Sequence, residues 1–144
     1  MRNTEEPSLK RFSVNKMDRS EIGRNGEAFC EEYYRKKGYE ILEKNYHSRY
    51  GEIDVIAQNG NTVAFIEVKT RAENALGRPA EAVSKAKQKK IILTAFRYAE
   101  NFPLDTECRF DIFEVWQKEG RIFKFNLIES AFEATDFSGR YDIF

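Results

Sequence analysis

Asp54 and Glu67 are the residues whose types and spacing most directly offer chemistry, with Glu52 and Lys69 beside them. All four fall in Gly51 to Arg71, where two runs rich in β-branched residues, Ile53 to Ala57 and Val63 to Thr70, flank Gln58-Asn59-Gly60-Asn61. Asn-Gly between such runs is a hairpin signal, because both residues tolerate positive φ. With Asn59-Gly60 as the loop, Gln58 pairs with Asn61, Asp54 stands opposite Phe65, and Glu52 stands opposite Glu67. Directly opposed residues share a face, so Glu52, Asp54, Phe65, Glu67 and Lys69 project together. Asp54 and Glu67 are then diagonal neighbours, roughly 7–8 Å apart between backbones, close enough to bracket one cation. A loop at Gly60-Asn61 instead sets Asp54 directly against Glu67; only an odd-numbered loop would separate them.

The opposite face of this hairpin reads Ile53, Val55, Ala57, Ala64, Ile66 and Val68, and is expected on the core. Three carboxylates on adjacent strands repel one another, which calls for a compensating cation. The plainer alternative is a hairpin with a solvated outer surface, its acids neutralised by Lys69 and Arg71.

The elements that must position these groups fit one domain. The chain has 144 residues, 41% of them apolar and 14% aromatic, enough for a sizeable core without staples. No apolar run approaches the roughly 20 residues that span a bilayer, so a soluble chain without membrane association is expected. The N-terminal residues lack an apolar export segment, which makes the cytoplasm the expected location. His47 is the only histidine, and Cys30 and Cys108 form no CxxC pair, which excludes a histidine-rich or zinc-finger-like site and leaves reduced thiols.

Formal net charge is zero, yet the charges are unevenly distributed. Lys69 to Arg97 carries eight basic residues against two acidic ones, and beyond Arg97 the balance is five to ten. A basic segment following an acidic cluster suits an enzyme that uses a metal on a polyanion.

Residues 1–19 read as a flexible arm, 20–134 as the domain and 135–144 as a tail ending in aromatics. A first helix runs from an N-cap at Ser20 to Lys37, stopped by Gly38, with Ile22, Gly26, Phe29 and Tyr33 facing the sheet. Gly26 suggests close backbone approach, and Glu27 beside it can face whatever the helix packs on. Tyr39 to Tyr46 reads as a strand. A second helix spans Ala80 to Asn101, with Val83, Ala86, Ile92, Ala95, Phe96 and Ala99 as its core stripe and Lys85, Lys87, Lys89 and Lys90 in its first half. Lysines of this kind usually face solvent; next to the hairpin, Lys87 and Gln88 could reach a phosphate. Arg109 to Trp116 and Arg121 to Ile128 read as a second hairpin, expected to be central in the sheet.

The order helix with Glu, strand, Asp-bearing strand, Glu-x-Lys strand, basic helix, strand resembles the core of PD-(D/E)XK nucleases. More closely, Gly23-x-x-Gly26-Glu27-Ala28, Gly38-Tyr39, Asn45, Gly51-Glu52-Ile53-Asp54-x-Ile56-Ala57, Phe65-x-Glu67-Val68-Lys69-x-Arg71, Lys87-Gln88 and Arg109-Phe110-Asp111 resemble the YraN family of bacterial candidate endonucleases. Archaeal Holliday-junction resolvases share the pattern. The resemblance implies an α/β fold with a restriction-endonuclease-like core, a mixed β-sheet flanked by helices. It also implies Mg2+ or Mn2+ held by Asp54, Glu67 and the Val68 carbonyl, with Lys69 positioning the attacking water and Glu27 as an outer or second-metal carboxylate. Arg71, Lys85, Lys87 and Gln88 become the nucleic-acid contacts. Ile53 stands where a proline can precede the Asp, a change that removes no ligand.

The function expected from these residues together is a metal-dependent endonuclease hydrolysing phosphodiester bonds in DNA, branched or junction DNA included. A homodimer is expected where both strands of a duplex or junction are cut. The alternative expectations are a nucleic-acid-binding module on a nuclease fold, without cleavage, and a scaffold binding protein through the aromatic tail.

Overall fold

The computed structural model describes residues 19–72 and 83–137. The expected arm, apart from Arg19, the loop from 73 to 82 and the tail from 138 onward lie outside the described residues. The elements run α1 (Arg19–Lys36), β1 (Glu40–Ser48), β2 (Gly51–Asn59), β3 (Thr62–Ala72), α2 (Lys85–Ala99), β4 (Glu107–Lys118) and β5 (Arg121–Phe132), followed by a short 3-10 turn, Ala134–Phe137. Ser20 lies inside α1, so the expected N-cap there is not one. The stop at Gly38 holds: its φ is 97°, and the Tyr39 amide reaches back to the Tyr34 carbonyl at 3.0 Å.

The strands form one sheet in the order β1-β2-β3-β4-β5. β3 and β4 are parallel and every other pair is antiparallel. A parallel pair needs a crossover, and α2 supplies it, covering one face while α1 covers the other. This is the mixed α/β sheet flanked by helices that the sequence pattern implied.

Two cores result. On the α1 side, Phe29, Tyr33 and Tyr34 pack against Val55, Ala57, Ala64, Ile66, Phe113, Val115 and Phe125. On the α2 side, Ile91, Ile92 and Ala95 pack against Ile53, Ile56, Val63, Phe65, Phe110 and Ile112. The central β3 is buried on both faces, which explains its unbroken Val63-Ala64-Phe65-Ile66 run. Phe65 is thus core, correcting its placement on a charged outer face. Ala86, expected in the α2 stripe, is exposed, while Thr94 is fully buried.

At Gly26, α1 approaches the sheet closely. A Cβ there would lie 2.8 Å from Thr70 Oγ1 and 3.1 Å from a Val115 methyl, so the close approach requires glycine. The capping residue of α2 is Ser84, whose hydroxyl accepts the Lys87 amide at 3.1 Å.

Register decides the rest. Asn59 pairs with Thr62 and Val55 with Ile66, so the turn is Gly60-Asn61 and not Asn59-Gly60. The regular pairing ends at Val55 and Ile66, one step short of Asp54 and Glu67. The pleat also breaks. Ile53 lies in the α2-side core and Val55 in the α1-side core, although they are two residues apart. Across from them, Tyr46 joins the α2-side core while Lys44 turns to Glu31 of α1 at 3.8 Å. Between Lys44 and Tyr46 lies Asn45 with φ of 51°. The expected continuous apolar face through Ile53, Val55 and Ala57 is therefore interrupted at Asp54.

Candidate metal centre

Glu67 lies on β3 between Ile66 and Val68, which both belong to the α1-side core, so its side chain projects toward α2. It is 7% exposed. Its Oε2 is 3.3 Å from Lys87 Nζ of α2 and 3.9 Å from Lys69 Nζ, two positions along the same strand.

Asp54, released from the regular pleat, turns across to β3 and accepts the Val68 amide on Oδ2 at 2.8 Å. Burial first, and then the charge of Glu67, push its carboxyl up to about 7, against the opposing pull of the Val68 amide. Glu27 and Glu52 add to the same effect.

Glu27 comes to this cluster from α1, one residue after the close approach at Gly26. Burial raises its carboxyl, a hydrogen bond from Asn45 counters that, and Glu31, Glu52 and Glu67 raise it further. Glu52 is more open to solvent and lies 3.4 Å from His47 Nδ1.

Asp54 and Glu67 offer hard carboxylate oxygens, donors suited to Mg2+ or Mn2+. Among the described residues, no group of three or more aspartate, glutamate, histidine or cysteine side chains is placed to hold a metal ion. Magnesium does not require one, since it commonly binds through one or two carboxylates and keeps several waters. Asp54 and Glu67 fit that requirement, and Val68 connects them through its backbone.

The basic residues divide. Lys87 joins the carboxylates, and Lys85 is exposed at the first position of α2. Gln88 donates to the Val83 carbonyl at 3.1 Å, and its Oε1 is buried without a partner among the described residues. Arg71 turns to buried Glu114 at 2.9 Å, with 14% of its side chain exposed, so much of its charge is already matched. Asn126 donates to the other Glu114 oxygen at 3.2 Å, and Lys124 stacks 4.7 Å above Trp116, the register partner of Arg71.

Sequence reasoning gave Asn45 no role at the site, and its conformation and contact with Glu27 had no local signal beyond the residue type. It also gave no role to a buried cluster around Asp111, which accepts from Tyr34 at 2.8 Å, Arg109 at 2.8 Å and the Ser130 amide at 3.0 Å. Arg109 also reaches the Tyr39 hydroxyl at 2.9 Å. The cluster joins α1, β4 and β5 on the side of the sheet away from Glu67 and Lys87. Arg109-x-Asp111, a charged pair on one strand face, was its only trace in the sequence.

The sequence profile described as "Uncharacterised protein family UPF0102" matches residues 26–115, and the chain belongs to this family. A UPF0102 protein of Chlorobium chlorochromatii (strain CaD3) is 44% identical over 117 residues, covering 78% of this chain and 91% of its own length. One from Caldicellulosiruptor saccharolyticus is 37% identical over 118 residues, covering 81% of this chain and 100% of its own. Among solved structures, the chain is similar to Pyrococcus furiosus SfsA in complex with Ca2+, at 12% identity and a TM-score of 0.39. That match covers 74% of this chain and 62% of the other, so it spans less than two thirds of that protein.

Proposed function

We propose that this member of the family is a divalent-metal-dependent endonuclease acting on phosphodiester bonds in DNA, branched or junction DNA included. The observation that carries this reading is Asp54, hydrogen-bonded to the Val68 amide and near enough to Glu67 that its charge, after burial, helps raise the Asp54 carboxyl to about 7. Two acids kept close at such electrostatic cost suit a bound cation.

In this reading Asp54 and Glu67, with the Val68 carbonyl, hold Mg2+ or Mn2+. When bound, the metal would supply Lewis-acid stabilisation of charge developing on a scissile phosphate. Lys69 orients the attacking water and offsets negative charge beside it. Glu27, held by Asn45, is an outer carboxylate that completes the hydration of the site. Lys85, Lys87 and Gln88 lie on the face from which the phosphate backbone would approach, and Arg71 lines the strand beyond. One site per chain cuts one strand, so a homodimer would cut two. Where chromosomal DNA is the substrate, the protein works in the cytoplasm. Among the described residues no helix is long and apolar enough to cross a membrane.

The test is incubation with labelled linear, single-stranded and four-way-junction DNA in magnesium, manganese or chelator, beside Asp54→Asn and Glu67→Gln. Metal-dependent cutting that both substitutions reduce by about a thousandfold or more, in folded protein, is the expected result. Cutting at parental rate in both variants overturns the site. Salt-sensitive binding without cutting by any of the proteins would identify a binding module instead.

A further inference from the structure

We infer that Lys87 is the resident counter-ion of Glu67, that an incoming divalent cation displaces it, and that the freed ammonium becomes a phosphate ligand; this rests on the metal reading above. Lys87 and Lys69 meet the same Glu67 oxygen, at 3.3 and 3.9 Å. They are held differently. Lys69 is fixed two residues away on β3, whereas Lys87 arrives from α2 with 43% of its side chain exposed, so its head can swing into solvent.

Lys87 also stands in an unfavourable place for a cation. It is in the first turn of α2, its amide bonded to the Ser84 cap, and that turn contains no acidic residue. The positive end of the helix disfavours an ammonium there, and Glu67 offsets this. A divalent cation bound to Glu67 removes the compensation and repels the ammonium. The helix end and Lys87 together then form a site that favours an anion, and a substrate phosphate provides one. Metal and polyanion binding are thereby coupled in the same direction, and each strengthens the other.

The test titrates Mn2+ by calorimetry into the parent, Lys87→Met, Lys87→Arg and Asp54→Asn. Removing the competing charge should tighten Mn2+ binding about threefold to tenfold in Lys87→Met, while Lys87→Arg stays within about twofold of the parent. A merely structural lysine would not give tighter binding. Unchanged or weaker binding in Lys87→Met, with binding lost in Asp54→Asn, overturns this inference alone. Absence of Mn2+ binding in both parent and Lys87→Met overturns it together with the metal reading.

The phosphate half is read in a Lys69→Met background, with a labelled oligonucleotide and Mn2+ or chelator. Adding Lys87→Met should lower the salt dependence of binding by about one phosphate contact with metal and leave it unchanged in chelator. An equal change in both conditions overturns the handover.

Discussion

The Asp54 carboxylate accepts the Val68 amide at 2.8 Å, so the acid of β2 is tied to the backbone of β3 between Glu67 and Lys69. This one bond holds the Asp54 carboxyl close to Glu67. It also holds a buried carboxyl where the charge of Glu67 opposes its ionisation.

Stability without metal should therefore fall as pH rises. The Asp54 carboxyl goes from an ordinary value of 3.8 to about 7 in the folded chain, so the native state holds this proton more tightly than the unfolded one. Its contribution is most favourable at low pH, declines between these two values, and levels off above them. Asp54→Asn should exceed the parent in unfolding free energy by on the order of 1–3 kcal/mol near pH 8, with the gap closing toward pH 4. Urea unfolding across this range measures it, and a gap independent of pH would remove Asp54 as its source.

Metal should reverse that trend, because the ligand form of Asp54 is the ionised one. Mn2+ affinity should fall by about tenfold per pH unit once pH drops below the Asp54 value. Calorimetric titrations at several pH values test this, and addition of chelator should return the metal-free stability profile.

Lys69→Ala separates water positioning from metal holding. Its longer contact with Glu67, 3.9 Å, makes it the weaker of the two counter-ions. Metal affinity should stay within about twofold while turnover falls roughly 10²- to 10⁴-fold. Loss of metal binding along with turnover would assign Lys69 a structural part.

Gly26→Ala should cost about 1–3 kcal/mol in stability, since its Cβ would meet Thr70 Oγ1 at 2.8 Å and Val115 at 3.1 Å, both on stiff β-branched side chains. Chemical denaturation measures this. A neutral result would mean that α1 can lift from the sheet freely, and Glu27 would then not be held in place.

Asn45 should tolerate glycine better than alanine. Its φ of 51° favours Gly and Asn, and both substitutions remove the hydrogen bond to Glu27. Asn45→Ala should be less stable than Asn45→Gly by about 1 kcal/mol. In either variant the Glu27 carboxyl, followed by NMR, should titrate at still higher pH. An unchanged Glu27 titration would dissociate the two residues.

Much of this architecture was legible in the chain. The β-branched runs around Asn59-Gly60, the stop at Gly38 and the basic stretch after Glu67 each carry a local physical signature, and each maps onto a strand, cap or helix. The proximity of Asp54 and Glu67 was readable because either even-numbered turn keeps them on neighbouring positions. Which turn forms was not, since Asn59-Gly60 and Gly60-Asn61 are both compatible with positive φ; the pairing of Val55 with Ile66 decides it.

The sequence by itself determined the strand and helix order, the acid pair and the basic helix, because period-two and helical patterns are short-range properties. Tertiary structure alone decided that Ile53 and Val55 enter different cores, that Glu27 is gripped by Asn45, that Lys87 reaches Glu67, and that Arg71 is taken by Glu114. The physical reason is the same in each case. Alternation specifies faces only until the pleat breaks, and a side chain's partner depends on which distant element covers that face.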